Sequence, residues 1–244
     1  NRCGPWDARL LATRSELGIL NPDILALQEV VQIDGFDQGE LLANESLKHL
    51  AFGKNDHSDY PMGNAVLSRW PIVRREVFPI PTGGTSEHRS LLFVEVDAPF
   101  GRVPVFTTHL NWRLDEGHVR EEQIRFVVDV ITSRVAPNEF PPLLMGDMNA
   151  EPDADEMRFL RGLTRLGGKS TYFADCFSIA GDGSPGATFS RRNPFAAPLR
   201  EPDRRIDYIF VRGPDGGGRG EPLRASLCFH EPHHDVFPSD HFGV

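Results

Sequence analysis

Pro142-Leu143-Leu144-Met145-Gly146-Asp147-Met148-Asn149 reads as a buried strand that leaves the core at a glycine and then presents a carboxylate and a carboxamide two residues apart. Strand side chains alternate between faces, so Asp147 and Asn149 point the same way if extended geometry runs on through them. Polar groups at the rim of a rigid buried strand are a common catalytic arrangement. Gly-Asp-x-Asn alone is equally an ordinary turn signal. What the rest of the chain brings to the same rim separates the two readings.

On the N-terminal side of this strand, Gly117 to Val135 carries an apolar stripe at helical spacing, with Val119, Ile124, Val127, Val128 and Ile131. Before it, Ser90 to Val96 and Val103 to Leu110 read as a hairpin turning at Ala98-Pro99-Phe100-Gly101, and the second strand runs into His109. Further back, Trp6 to Leu20 reads as an amphipathic helix through Leu10, Leu11, Ile19 and Leu20. Ile24 to Leu27 reads as a strand buried on both faces and ending in Gln28-Glu29. Residues 40–50 read as a short helix, residues 56–62 as a polar turn, and Gly63 to Arg69 as a strand limited by Pro71. Thr82 to Glu87 reads as a loop.

On the C-terminal side, Asp153 to Leu166 reads as a helix with Asp153 as N-cap. Residues 181–204 form a long loop rich in Gly, Pro and Arg, and Ile206 to Val211 is a strand containing Asp207. A glycine-rich loop over 213–221 leads to a return strand, Leu223 to Phe229, before Ser239-Asp240-His241-Phe242. Apolar strands alternating with amphipathic helices, interrupted by hairpins, predict an α/β fold of mixed sheets covered by helices. With no repeat and no linker, residues 1–244 read as a single domain.

At 244 residues the chain can bury a sizeable core. Its net charge of -9 argues against a protein that holds nucleic acid by global attraction, although a cation-binding group of carboxylates would itself contribute to that charge. Cys3, Cys176 and Cys228 are too far apart for a metal motif or a disulfide framework. No apolar run approaches the length of a transmembrane segment, and the compartment, cytoplasmic or secreted, stays open.

Glu29, His109, Asp147 with Asn149, and Asp240 with His241 all stand at strand ends, and Asp207 lies within a strand. Repeated oxygen and imidazole groups at strand ends fit Mg²⁺ or Mn²⁺, which take few protein ligands and keep water free for a substrate. Leu27-Gln28-Glu29, Gly63-Asn64 through Leu67-Ser68-Arg69, Thr108-His109-Leu110, Gly146-Asp147-Met148-Asn149, Ile206-Asp207-Tyr208 and Ser239-Asp240-His241 occur in that order. Together they resemble the endonuclease/exonuclease/phosphatase superfamily of DNase I-like phosphoesterases over residues 24 to 244. The resemblance implies a four-layer α/β/β/α sandwich and hydrolysis of phosphoesters with Mg²⁺ or Mn²⁺. It implies metal binding by Glu29 and Asp240, water activation by Asp147 and Asn149, and phosphate contact by His109 and by His241, the latter fixed by Asp207. Asn64, Arg89, Asn111 and Arg113 are expected to line the substrate cleft.

The resemblance also sets expectations by its departures. The family begins with a strand ending in Asn, whereas here Asn1 precedes the first helix, so the domain is expected to lack its first and last strands. Val30-Val31 replace the Lys common in exonuclease III-like enzymes, which argues against abasic-site repair. The expected substrate is nucleic acid or a phospholipid or inositol phosphate, handled by a monomer; a scaffold that keeps the fold without catalysis is the alternative. Arg191, Arg192, Arg200, Arg204 and Arg205 form either a solvated loop or an anionic-substrate clamp, and His230, His233 and His234 are a further candidate metal cluster.

Overall fold

Alternating apolar side chains along the central strands feed two different cores. In the computed structural model, which describes residues 3–55, 61–137 and 139–244, Leu91, Phe93, Phe106 and Leu144 pack with Ile124, Val127, Ile131, Met157 and Phe159. Their strand neighbours Leu92, Val94, Val96, Val103 and Val105 face the opposite way and pack with Ala51 and Val66. The first set lies between a sheet and helices and the second between two sheets, giving the layered α/β arrangement expected from the sequence.

The chain runs through α1 (Trp6–Leu20), β1 (Ile24–Ile33), β2 (Phe36–Asp37), α2 (Gln38–Leu42), β3 (His49–Lys54), β4 (Met62–Ser68) and β5 (Ile72–Pro79). It continues with β6 (Ser90–Ala98), β7 (Gly101–His109), α3 (Gly117–Arg134), β8 (Leu143–Asp147) and α4 (Asp155–Leu160). Last come β9 (Ala174–Asp175), α5 (Cys176–Ala180) and β10 (Asp207–Val211). The smaller sheet has the order β2-β1-β4-β3 and the larger β5-β6-β7-β8-β10-β9. Within it β7 pairs in parallel with β8, connected through α3, which covers that sheet. No helix of the described residues is long and apolar enough to cross a membrane.

Several local expectations give way to tertiary context. The helix expected over 40–50 is only α2; residues from His49 pair as β3 with β4, which buries Ala51 and Gly53. β5, not anticipated beyond Pro71, is a strand whose one ladder partner among the described residues is β6. In α1 the buried side chains are Ala12 and Leu17, while Leu11, Ile19 and Leu20 are exposed. β1 is half-buried rather than enclosed on both faces, with Val30 its one buried residue. α4 starts after Ala154, not Asp153, and stops at Leu160. Leu223 to Phe229 is no strand; there Cys228 alone bridges to Gly243. Asn1 and most of the polar turn at 56–62 lie outside the described residues.

Two buried ion pairs brace the large sheet and its helices, one joining the segment before β10 to β9 and the other joining α3 to α4. The Arg205 guanidinium holds both oxygens of Asp175, at 2.8 and 2.9 Å, beneath α5. Arg120 of α3 donates to Glu156 of α4 at 2.6 Å. Removing one partner of such a pair leaves an uncompensated buried charge. Arg205→Met should therefore lower unfolding stability by about 3–5 kcal/mol, read from urea denaturation, whereas the exposed pair partner variant Lys169→Met should cost under about 1 kcal/mol. Equal losses would show that the Arg205 pair is not the anchor described.

Candidate active site

Three strands of the large sheet end in register. In the parallel ladder His109 lies opposite Asp147, and in the antiparallel ladder Asp207 lies opposite Asp147. Backbone pairing alone thus sets an imidazole and a second carboxylate on either side of the Asp147 backbone. Gly146 permits the close approach: its φ is +143°, and a Cβ there would lie 2.0 Å from the Thr108 carbonyl oxygen.

Asp147 is 5% exposed. Its Oδ1 accepts the Asn149 backbone N–H at 2.8 Å, closing a tight turn. Asn149 consequently has φ +49°, and its amide donates to the Leu110 carbonyl at 3.1 Å. The two side chains thus converge through a side-chain-capped turn after β8, not by continued strand alternation. On the other oxygen, His109 Nε2 stands 3.3 Å from Asp147 Oδ2 and His241 Nδ1 stands 3.9 Å from it.

The imidazoles differ in charge. His241 Nδ1 donates to Asp207 Oδ2 at 2.9 Å. Burial opposes its charge, but Asp207, with Asp147 and Asp240, raises the ring to about 10. His109 is pushed well below the ordinary histidine range by burial, with the Arg89 cation and His241 adding to the effect. Asp147 is raised to about 7, mainly by burial and then by the Asp207 charge, with His241 acting in opposition. His109 is therefore neutral beside a charged His241.

His241 is placed by the long loop. Phe242 N–H donates to the Thr188 carbonyl at 2.7 Å, and the Thr188 hydroxyl accepts the N–H groups of Ile206 and Asp207 at 3.1 Å. Phe189 packs edge-on against the His241 ring. Nothing in the local pattern of residues 181–204 announces this role.

Glu29 sits at a bulge, where the β1–β4 register shifts between Leu27 and Val30, and its φ is +57°. A non-glycine residue in the left-handed region is strained, and such strain gathers at functional sites. The bulge aims Glu29 at the end of β7, with Oε1 3.9 Å from His109 Nδ1; its side chain is 59% exposed and carries no hydrogen bond among the described residues. Its neighbour Gln28 donates to the Thr107 hydroxyl at 2.9 Å and links the two sheets. Asp240 accepts the Ser239 hydroxyl at 3.2 Å, and burial with the Asp240 charge raises the Cys3 thiol.

Of the residues expected to line the cleft, three are interior. Asn64 donates to the Ser90 carbonyl at 2.8 Å, joining β4 to β6. Asn111 is fully buried, and its amide bridges Glu87 and Glu116 at 2.8 and 2.9 Å. Arg89 is paired with Glu87 and reaches His109, so its cation is directed inward. Arg113 is exposed, with its guanidinium over the Trp112 ring. The arginine-rich loop is largely neutralised: Arg204 pairs with Glu201, Arg205 with Asp175, Arg192 with Glu231 and Arg191 with Asp203. Glu87 was not singled out by the sequence; its spacing to Arg89 was the available signal.

Among the described residues, Asp147, Asp207 and His241 are the group whose ligand atoms lie within 4.8 Å of one another; the His230, His233 and His234 cluster forms no such group. His241 is charged and bonded through Nδ1 to Asp207, so it balances the carboxylates and offers no lone pair there.

Comparison with known proteins shows the family and the fold. A model of the Endonuclease/Exonuclease/phosphatase family matches residues 2–241. An endonuclease/exonuclease/phosphatase from Beutenbergia cavernae is 26% identical with a TM-score of 0.67; the match covers 98% of this chain but only 65% of that one. TDP2 from Caenorhabditis elegans is 22% identical with a TM-score of 0.71, covering 96% of this chain and 67% of that one. The human Nocturnin catalytic domain, with a bound sulfate anion, is 19% identical with a TM-score of 0.63, covering 85% and 75%. No curated protein matches.

The raised His241 predicts a pH dependence. A group whose folded value lies near 10 and whose unfolded value is about 6.5 stabilises fully below the latter and loses that contribution as pH rises toward the former. Asp147 is raised only to about 7 and His109 is lowered, while the raised thiols are common to wild type and variant, so the difference between the two above pH 7 reports His241. The melting-temperature difference between wild type and His241→Gln should therefore shrink steadily from pH 7 to 10. A constant difference would contradict the ion pair.

Proposed function

Since the chain belongs to the Endonuclease/Exonuclease/phosphatase family, we propose that it is a divalent-metal-dependent hydrolase that cleaves a phosphodiester by attack of water. The observation that carries this is Asp147, held between a neutral and a charged imidazole at adjoining strand ends. A phosphodiester is anionic and gains charge on its leaving oxygen in the transition state, so fixed donors placed around it lower the barrier.

The donor chemistry fits a hard cation. Burial, and after it the neighbouring Asp207 charge, raises Asp147, and the carboxylate oxygens present suit Mg²⁺ or Mn²⁺. Glu29 and Asp240 are proposed to hold it, because Asp207 is committed to His241 and Asp147 to Asn149. When bound, the cation supplies positive charge to a phosphate oxygen.

The chain's own residues supply the rest. Asp147 orients the attacking water and takes its proton as the oxygen–phosphorus bond forms. Asn149 steadies that water with the amide hydrogen not given to Leu110. His241, fixed at Nδ1 by Asp207, donates from Nε2 to a phosphate oxygen, and His109 offers a second, uncharged donor. The ester oxygen leaves with the displaced proton. Arg113, exposed beside Trp112, is the cleft residue proposed to meet a substrate anion, and the bound sulfate of the Nocturnin domain is an anion of phosphate size.

Nucleic acid and phospholipid or inositol phosphate are the proposed substrate classes, and plasmid DNA, RNA, sphingomyelin and inositol phosphates form the panel that separates them. Hydrolysis of bis-p-nitrophenyl phosphate with Mg²⁺ or Mn²⁺ should be abolished by EDTA. Asp147→Asn and His241→Gln should each lose at least about 10²-fold in rate. Metal-independent turnover, or variants near wild type, would overturn the assignment.

A further inference from the structure

We infer that Arg89 is a positioning residue that locks His109 in its Nε2–H tautomer, so that this histidine acts at the reacting centre as a hydrogen-bond donor and never as a base. The inference rests on the proposed phosphoesterase reading for its kinetic consequence, but its structural part does not. Arg89 Nη1 lies 2.8 Å from His109 Nδ1, with both side chains buried. A guanidinium has five N–H donors and no acceptor, so Nδ1 must be the accepting nitrogen. The imidazole proton then resides on Nε2, the atom 3.3 Å from Asp147 Oδ2. Which nitrogen carries the proton is thus fixed by the partner of the other.

The arginine is itself held. Glu87 Oε1 takes Arg89 Nε at 2.8 Å and also Nη2, a two-pronged contact that fixes the plane of the guanidinium. Glu87 Oε2 accepts the Asn111 amide at 2.8 Å, and the same amide nitrogen donates to Glu116 Oε2 at 2.9 Å. Asn111 is tied to α3 because its backbone N–H donates to Gln123 Oε1 at 2.9 Å. A continuous chain therefore runs from the crossover helix through Glu116, Asn111, Glu87 and Arg89 to His109, ending on Asp147. Its polarity is opposite to that at His241, where a carboxylate accepts from Nδ1. One ring is set to be a neutral donor and the other a charged one.

The test uses the full chain labelled with ¹⁵N-histidine, read at one neutral pH by long-range ¹H–¹⁵N correlation, with His109 assigned by the loss of its signals in His109→Gln. Wild type should show the pattern of a neutral Nε2–H ring, and Arg89→Met should shift His109 toward the other tautomer or a mixture. Arg89→Lys, which keeps a donor but not the two-pronged hold, should give an intermediate pattern, and Glu87→Gln should weaken the lock if Arg89→Met does not fold. On bis-p-nitrophenyl phosphate, Arg89→Met should lower kcat by about tenfold or more with KM little changed. In a His109→Gln background the same substitution should have no further effect on kcat. A wild-type ring protonated on Nδ1, or a pattern unmoved in folded Arg89 variants, overturns the inference even if the enzyme is active. Inactivity of the wild type with the expected pattern would instead count against the phosphoesterase reading alone.

Discussion

The candidate site depends on strand register. Three strands reach the same edge of the large sheet, and their ladders place His109 and Asp207 opposite Asp147. A slip of one residue would turn each of these side chains to the opposite face. Packing on both sides of the sheet prevents the slip, because alternate residues of β6, β7 and β8 are sorted between two separate cores. The hydrophobic pattern of the interior is thus what fixes polar geometry at the rim.

Burial then gives each group a different charge. Asp147 and His241 would both resist ionisation if buried alone; together with Asp207 they form a set in which His241 is cationic and Asp147 is raised to about 7. His109, less exposed than His241, faces a guanidinium and stays neutral. Two groups of one type are thus driven apart by their neighbours, so that one pocket holds a neutral and a charged imidazole. Left-handed backbone also marks the rim at Glu29, on the bulge within β1, and at Asn149, just after β8.

The strong apolar runs and the long amphipathic helix α3 were legible because burial imposes their periodicity directly. β8, the β6–β7 hairpin and the polar residues that follow them could be read without coordinates. What could not be read depended on contacts distant in sequence. His49 to Lys54 is a strand because β4 offers it a ladder, not because its own pattern demands one. Asn64, Arg89 and Asn111 have residue types suited to a cleft, yet their donors point inward to Ser90, Glu87 and His109. Thr188 and Phe189 place His241 across more than 50 residues, within a loop whose composition says only that it is irregular.

Neutron diffraction from crystals grown near neutral pH would test the charge arrangement around Asp147 most directly, since it locates the hydrogens themselves. The expected result is hydrogen on both ring nitrogens of His241 and on Nε2 alone of His109. Hydrogen on Nδ1 of His109, or a His241 ring lacking one of its two, would contradict it.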